Sequence, residues 1–278
     1  MRKIIYSASA ATLLFVAVLS CKKSSTDETQ VASLTVEEKS LIASAGFNSN
    51  WSYKTDEGKY LIEGDILLTK DQLQSLSGVA PAYELIAGQE EHYRTTNLVN
   101  TGVGVRTITV RLGSGFLSHY STGLDQALAR YNSLGLNIVF QRVTTGGDIV
   151  ISGANLGRVP GGGCVLGQAA GFPTGGNPAP GFTLSTNKCA TNYLGTANAV
   201  DEVIAHEIGH CIGFRHTDFM NRSSCGQNSN EGAAGVGAIH IPGTPETVTG
   251  SYNSWMMACI NNNPAFSADD ATALQAVY

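Results

Sequence analysis

Charged side chains are scarce in this 278-residue chain, at 14% of all residues, and no cluster of basic residues occurs in it. Proteins that bind nucleic acid carry a patch of Lys and Arg, so the lack of one argues against a nucleic-acid partner. Gly is abundant instead, with 32 residues. A chain with little charge and much Gly is typical of a loop-rich extracellular protein with many turns.

The N-terminus has the pattern of an export signal. Two basic residues precede an apolar run at residues 8–19, which is too short to span a membrane. The run ends at Ser20 and Cys21, which resemble a bacterial lipobox, so residues 1–20 are predicted to be a lipoprotein signal peptide and Cys21 the lipidation site. Residues 21–30 are polar and predict a flexible tether. This predicts an exported bacterial membrane lipoprotein, facing the periplasm or at the cell surface; an ordinary secretory signal with an incidental Cys is the alternative.

Five cysteines follow the predicted lipidation site, and an exported protein favours disulfides. Cys164 and Cys189 flank a Gly- and Pro-rich stretch whose ends they can staple together. Cys225 and Cys259 can close a second loop, which leaves Cys211 as a buried thiol. Connectivity does not follow from sequence, so other pairings stay open.

The strongest chemical signal lies at residues 206–218, which read His-Glu-Ile-Gly-His-Cys-Ile-Gly-Phe-Arg-His-Thr-Asp. On a helix, residues four apart differ by about 40° of rotation. His206 and His210 therefore project from one face and can both reach a zinc ion at about 2.1 Å. Between them, Glu207 can act as a base toward a water on the metal.

Gly213 and His216 complete the motif. A Gly at this place can adopt the left-handed conformation that ends a helix, and the resulting turn would bring His216 back as a third ligand. Three protein ligands leave a fourth position for water, which is typical of catalytic zinc. Asp218 follows closely; it is expected to lock the turn by a hydrogen bond or salt bridge, with metal ligation as the alternative. His92, His119 and His240 are expected to be structural.

Periodicity predicts an α/β arrangement of one twisted sheet with helices packed on it. Around the motif, strands are predicted at residues 106–112, 137–142, 148–152, 166–172 and 182–185, and helices at 121–134 and 196–214. Ahead of them, a helix within residues 31–45, a strand at 60–68 and a helix at 69–76 suggest a small separate unit. Residues 81–100 show little periodicity and are predicted to be a linker.

The motif resembles that of metzincin metallopeptidases and, more narrowly, of the bacterial dual-action HEIGH metallopeptidase family. Ser254-Trp255-Met256-Met257 fits the Met-containing turn of metzincins, with Met256 at the matching place. Residues 266–270 resemble the start of the C-terminal helix of matrixins. The resemblance implies a twisted mixed sheet with a central zinc-binding helix, a backing helix and a C-terminal helix, and a metal in a groove along one sheet edge.

Two further expectations rest on this resemblance. Astacins and serralysins have a Tyr two residues beyond the Met, where this chain has Ala258, so no tyrosine switch is expected and oxyanion stabilisation falls to zinc and backbone. Residues 62–66 resemble the F-x-G-D segment of astacin prodomains, whose Asp occupies the zinc, although Ile62 replaces the Phe. Asp65 is thus a candidate latency residue; the alternative is an ordinary β-turn at Gly64 and Asp65.

Together these patterns predict a zinc-dependent endopeptidase. Residues 31–97 form a prosegment-like region, and residues 98–278 form the catalytic domain. The cofactor is Zn²⁺, and the resemblance implies that a protein or peptide substrate binds extended along the sheet edge at residues 166–172. Two alternatives remain: a surface-anchored binding protein with a catalytically idle metzincin fold, and a zinc enzyme that acts on a non-peptide amide or ester.

Overall fold

The computed structural model describes residues 32–80, 83–84, 92–159, 163–245, 253–260 and 265–278. The predicted signal peptide, Cys21 and the tether lie outside the described residues, so lipidation and export stay predictions. Within the described ranges, no helix has both the length and the apolar character needed to cross a membrane.

Six α-helices and eleven strands occur in the described part of the chain. The helices are α1 (Val36–Ser44), α2 (Lys70–Leu76), α3 (Ser118–Asn132), α4 (Lys188–Tyr193), α5 (Ala197–Ile212) and α6 (Ala268–Val277). The strands are β1 (Tyr53–Lys54), β2 (Tyr60–Ile62), β3 (Ile66–Leu68), β4 (Tyr83–Glu84), β5 (Tyr93–Arg94), β6 (Arg106–Leu112), β7 (Ile138–Val143), β8 (Ile149–Ala154), β9 (Gly167–Ala169), β10 (Gly181–Ser185) and β11 (Ala238–His240).

Eight of these strands form one mixed sheet in the order β1-β2-β3-β9-β10-β8-β6-β7. The four strands β7, β6, β8 and β10 run parallel to one another. Helix α3 provides the crossover connection between the parallel strands β6 and β7. β9 is antiparallel to β10. The mixed α/β fold class expected from the sequence is confirmed, and the antiparallel β9 is the strand nearest the motif helix.

The two long helices pack on each other and on one face of this sheet. α3 contacts α5 and β7, and α5 also contacts β9 and β10. On α5 the aliphatic side chains of Val200, Ile204, Ile208 and Ile212 are fully buried, and burying each such side chain contributes about 1.5–3 kcal/mol. Arg130 on α3 forms an ion pair with Asp201 on α5, on the side away from the histidines. Helix α5 is therefore held rigidly against the sheet.

Side-chain caps define where three of the helices begin. Thr35, Thr69 and Ser267 each accept a hydrogen bond from a backbone N–H of the first turn and form a complete capping box with α1, α2 and α6. Thr and Ser are preferred at this position because the side-chain oxygen satisfies a backbone N–H that the helix itself leaves unpaired. Helix α4 was not predicted; Asn187 caps it, and its side chain accepts from the Cys189 N–H at 3.0 Å.

The single strand predicted at residues 60–68 is wrong. The chain makes two antiparallel strands, β2 and β3, joined by a three-residue turn at Glu63, Gly64 and Asp65. Glu63 and Gly64 both have positive φ, 58° and 94°, which reverses the chain. Continuous apolar residues on either side favour a single strand, whereas the alternative β-turn expected at Gly64 and Asp65 is present. We call residues 60–68 the N-terminal hairpin.

The N-terminal region is not a separate unit, because β3 pairs with β9 and so extends the main sheet. The predicted linker at residues 81–100 also differs, since β4 and β5 flank β11 in a small three-stranded sheet. These pairings join residues far apart in the chain, which local periodicity cannot reveal. The proposed boundary between residues 97 and 98 stays a prediction.

Candidate active site

Helix α5 carries the first two histidines on one side. Thr196 fixes its start, because the hydroxyl accepts a hydrogen bond from the Ala199 N–H at 3.2 Å. His206 and His210 follow one turn apart. The helix ends at Gly213, whose φ of 107° lies in the left-handed region that Gly adopts without steric cost. This ending turns the chain back toward the two histidines.

The three histidines predicted as metal ligands converge on one point. The ring centroids of His206 and His210 are 4.8 Å apart, and the His216 ring lies 5.4 Å and 4.9 Å from them. All three side chains are buried. The three side chains therefore lie next to one another, as their spacing in the sequence predicts.

Each histidine has a separate acceptor for its Nδ1 atom. These acceptors are Trp255 O for His206 (2.8 Å), Phe214 O for His210 (2.9 Å) and Glu231 Oε1 for His216 (2.7 Å). A carbonyl oxygen or carboxylate only accepts, so Nδ1 carries the proton on each ring. When the rings are neutral, with the proton at Nδ1, the three Nε2 lone pairs face one another, which is the arrangement that a bound metal ion requires. These donors fit zinc.

Asp65, at the turn of the N-terminal hairpin, reaches into the same point. Its Oδ2 lies 2.8 Å from Nε2 of His216, 3.2 Å from that of His206 and 3.6 Å from that of His210. Its ligand atom and those of the histidines all lie within 4.8 Å of one another. Burial alone would raise the pKa of Asp65, but His216 and His210 lower it well below its usual range. Both features considered for this segment are therefore present: a turn at Gly64 and Asp65, and a contact between Asp65 and the histidines.

Glu207 lies beside this cluster with its carboxylate against strand β9. A Cβ atom added to Gly167 would lie 2.2 Å from Glu207 Oε1, so the strand leaves room for the carboxylate only because Gly stands there. Burial, and after it the negative charge of Asp65, raises the pKa of Glu207 well above its usual range. Oε2 has no hydrogen-bond partner among the described residues. This oxygen is available to a group that enters the site.

A family model described as dual-action HEIGH metallo-peptidase matches residues 60–278 of the chain. This match includes the N-terminal hairpin, the three histidines and Glu207. The chain belongs to this family. No curated protein matches the chain. Among solved structures it is similar to myroilysin, with 15% identity, a TM-score of 0.37, and coverage of 66% of this chain and 82% of that one.

In this HEIGH metallopeptidase, the Gly of the family motif has a packing role. A Cβ atom on Gly209 would lie 2.3 Å from Sδ of Met256, which is fully buried. Met256 thus packs directly against the helix between His206 and His210. The Met256 carbonyl also accepts from the Thr217 N–H at 2.7 Å, next to His216. Met256 therefore contacts both the helix that carries His206 and His210 and the segment next to His216.

The remaining histidines and Asp218 of the metallopeptidase do not reach this centre. Nε2 of His92 contacts Asp270, that of His119 contacts the Leu194 carbonyl, and that of His240 contacts Thr244. Asp218 accepts from the Ala258 N–H and from the Ser224 N–H and hydroxyl. Asp218 therefore joins the segment after the third histidine to the Met turn, as the sequence predicts.

Both predicted disulfides are present in the metallopeptidase, Cys164–Cys189 and Cys225–Cys259, and Cys211 is a buried free thiol. All four bonded cysteines line the cleft that opens onto His206 and Glu207. The disulfides therefore fix two loops at the walls of this cleft.

A network of buried charged side chains lies beside the metallopeptidase's histidines, and the sequence does not predict it. Arg215 forms an ion pair with Glu63, and Arg222 forms one with Glu231, the partner of His216. The opposing charges of His216 and Arg222 outweigh burial and lower the pKa of Glu231 to about 2. The sequence holds one signal for this network. Charged residues are scarce in the chain, so an Arg directly before His216 in an apolar segment indicates a buried charge that needs a partner.

A substitution at Gly167 tests whether β9 positions the Glu207 carboxylate. Gly167→Ala, made in a chain that also carries Asp65→Ala so that the histidines are free, is expected to displace the carboxylate and to lower peptide hydrolysis about tenfold or more, with metal content unchanged. Hydrolysis and bound zinc would be measured on the same preparation. Gly195→Ala is the matched control, because its Cβ would lie 3.5 Å from the nearest atom. Full activity of Gly167→Ala would show that the carboxylate has other room to act.

Proposed function

We propose that this metallopeptidase is a zinc endopeptidase whose full-length chain is blocked by its own N-terminal hairpin. The observation that carries the proposal is the convergence of three Nε2 atoms, each oriented by an acceptor at Nδ1, with Asp65 Oδ2 at the same point. His206, His210 and His216 would hold the ion. Zinc in this position polarises a peptide carbonyl and lowers the pKa of water next to it.

Glu207 supplies the proton transfer in this proposal. Its carboxylate lies beside the histidines and next to β9, where the scissile peptide would lie. It takes a proton from the attacking water and delivers it to the leaving amine. No Tyr stands two residues beyond Met256, where Ala258 is found, so this chain offers no phenol from that position to stabilise the oxyanion.

Strand β9 is the proposed binding edge for an extended substrate. In the full-length chain the hairpin occupies this edge, because β3 pairs with β9 and the Ala169 N–H donates to the Asp65 carbonyl at 2.7 Å. A peptide that binds by strand addition needs the same N–H. The hairpin therefore competes with substrate both at the edge strand and at the histidines.

Removal and return of the metal tests the zinc assignment. We expect about one zinc per chain, loss of casein digestion after treatment with a chelator, and recovery on addition of zinc. The full-length chain and its Asp65→Ala variant would both be assayed, because the first is expected to be latent. Zinc without digestion in both forms would favour an idle binding protein instead. Digestion that survives complete removal of metal would contradict the proposal.

A further inference from the structure

Arg215 lies directly beside the candidate metal centre, and the carboxyl group of Glu63 fills the space next to its guanidinium; we call this space the Arg215 pocket. Its side chain is fully buried, and it immediately precedes His216. Nη1 donates to the carbonyls of Ala233 and Gly237, and Nη2 donates to the carbonyl of Gly232 at 3.0 Å and to Oε1 of Glu63. Among the described residues, the only acidic group that an ion pair joins to this guanidinium comes from the N-terminal hairpin.

The pairing between Arg215 and Glu63 is incomplete. Nε of Arg215 and Oε2 of Glu63 have no hydrogen-bond partner within the described part of the chain. A guanidinium presents Nε and Nη2 side by side, in a geometry that matches the two oxygens of a carboxylate. Glu63 uses one of these two donors, so a buried donor in the pocket is left unsatisfied. A carboxylate that enters from another direction can satisfy both.

Glu63 and Asp65 leave the site together if the hairpin is displaced. They belong to the same three-residue turn, and Asp65 is the residue at the histidines. Their departure takes both acidic groups of the turn out of the site and leaves Arg215 without an acidic partner, since Glu231 is engaged by Arg222 and His216. A buried guanidinium without a counter-charge is strongly unfavourable, which favours entry of another anion.

Aromatic rings make the pocket suitable for a charged pair. The Arg215 guanidinium carbon lies 4.8 Å from the ring centroid of Phe219 and 5.8 Å from that of Phe172. Neither ring belongs to the N-terminal region, so both stay when the hairpin is displaced. Rings at this distance attract the guanidinium and exclude water, which strengthens a hydrogen bond to a carboxylate.

We propose that Arg215 is a specificity-determining residue that binds an acidic side chain of the peptide substrate close to the scissile bond. Glu63 holds the place of that side chain in the full-length chain, as Asp65 blocks the histidines. The proposal rests on the proposed endopeptidase function and adds a substrate class to it. The metallopeptidase prefers peptides with Glu or Asp at one position next to the cleaved bond.

The test uses the full-length chain with Glu63→Ala and Asp65→Ala, which empties the pocket and frees the histidines. Peptides with one cleavable bond would be prepared in pairs that differ only in Glu against Gln, at each of three positions on either side of the bond. We expect kcat/KM to be about 10- to 100-fold higher for Glu than for Gln at one position. Arg215→Met in the same chain should abolish this ratio while cleavage of the Gln peptide continues.

A binding measurement separates this proposal from the proposed function. With Glu207→Ala added, calorimetry should show tighter binding of the Glu peptide than of the Gln peptide. Cleavage of Glu and Gln peptides at equal rates at every position would overturn the pocket and leave the endopeptidase function intact. Tighter binding of Glu peptides without any cleavage in the active chain would overturn the function and keep the pocket.

Two further outcomes decide the role of the residue itself. A preference for Glu that persists in Arg215→Met would overturn the assignment to Arg215. If Arg215→Met does not fold, the ratio of Glu to Gln peptides on the chain with Arg215 intact decides by itself. If no form of the chain cleaves the peptides and no form binds the Glu peptide more tightly than the Gln peptide, both proposals are overturned.

Discussion

Glu207→Ala, made in a chain that also carries Asp65→Ala, is expected to lower kcat/KM for peptide hydrolysis by about 10²- to 10⁴-fold while zinc stays bound. This is the range that a positioned general base and acid contributes. Zinc stays because Glu207 is not one of the converging ligands, whose positions depend on Trp255, Phe214 and Glu231. Hydrolysis of a peptide substrate and zinc content would be measured together.

Asp201→Ala is the matched control for this variant. Asp201 also lies buried on α5, but it faces Arg130 on α3 rather than the histidines. We expect it to lower thermal stability and to leave hydrolysis intact. Substantial residual cleavage by Glu207→Ala, with Asp201→Ala behaving as expected, would refute Glu207 as the proton-transfer group.

The second large effect is a gain of activity. Asp65→Ala in the full-length chain is expected to raise peptide hydrolysis at least about tenfold, since it removes contacts to His206 and His216 at 3.2 and 2.8 Å. The increase is expected without any cleavage of the chain itself, which mass spectrometry would verify. β3 still covers β9 in this variant, so the gain should be smaller than that from displacing the whole hairpin.

Asp71→Ala serves as the control, because Asp71 lies exposed in the first turn of α2 on the same N-terminal region. It should leave the latent level of hydrolysis unchanged. Equal activity of Asp65→Ala and the unmodified chain would discard the latency role. In that case the contacts of Asp65 with the histidines would reflect packing of the turn alone.

The motif helix could be predicted because its determinants are local. Histidines at i and i+4 share one face of any helix, and Gly213 at the helix end needs only its own φ to redirect the chain. The caps at Thr35, Thr69 and Ser267 are equally local. For such local features, the number of residues between two side chains determines the distance between them in the structure.

The hairpin and the charge network could not be derived in the same way. Glu63 adopts a positive φ that its residue type disfavours, so the shape of the turn depends on the tertiary contacts that hold it. Its ion pair with Arg215 joins residues 152 positions apart. Resemblance to other prosegments drew attention to Asp65, but nothing in the sequence linked Glu63 to an arginine.

The pairing of β3 with β9 also bears on how the chain avoids aggregation. If the hairpin were displaced, β9 would become the edge strand of the main sheet. Its backbone donors and acceptors would then be open to any extended chain. An edge that can bind peptides of a substrate can equally bind a strand of a neighbouring copy. Because β3 covers this edge in the structure, the pairing also keeps it from binding a strand of a neighbouring copy.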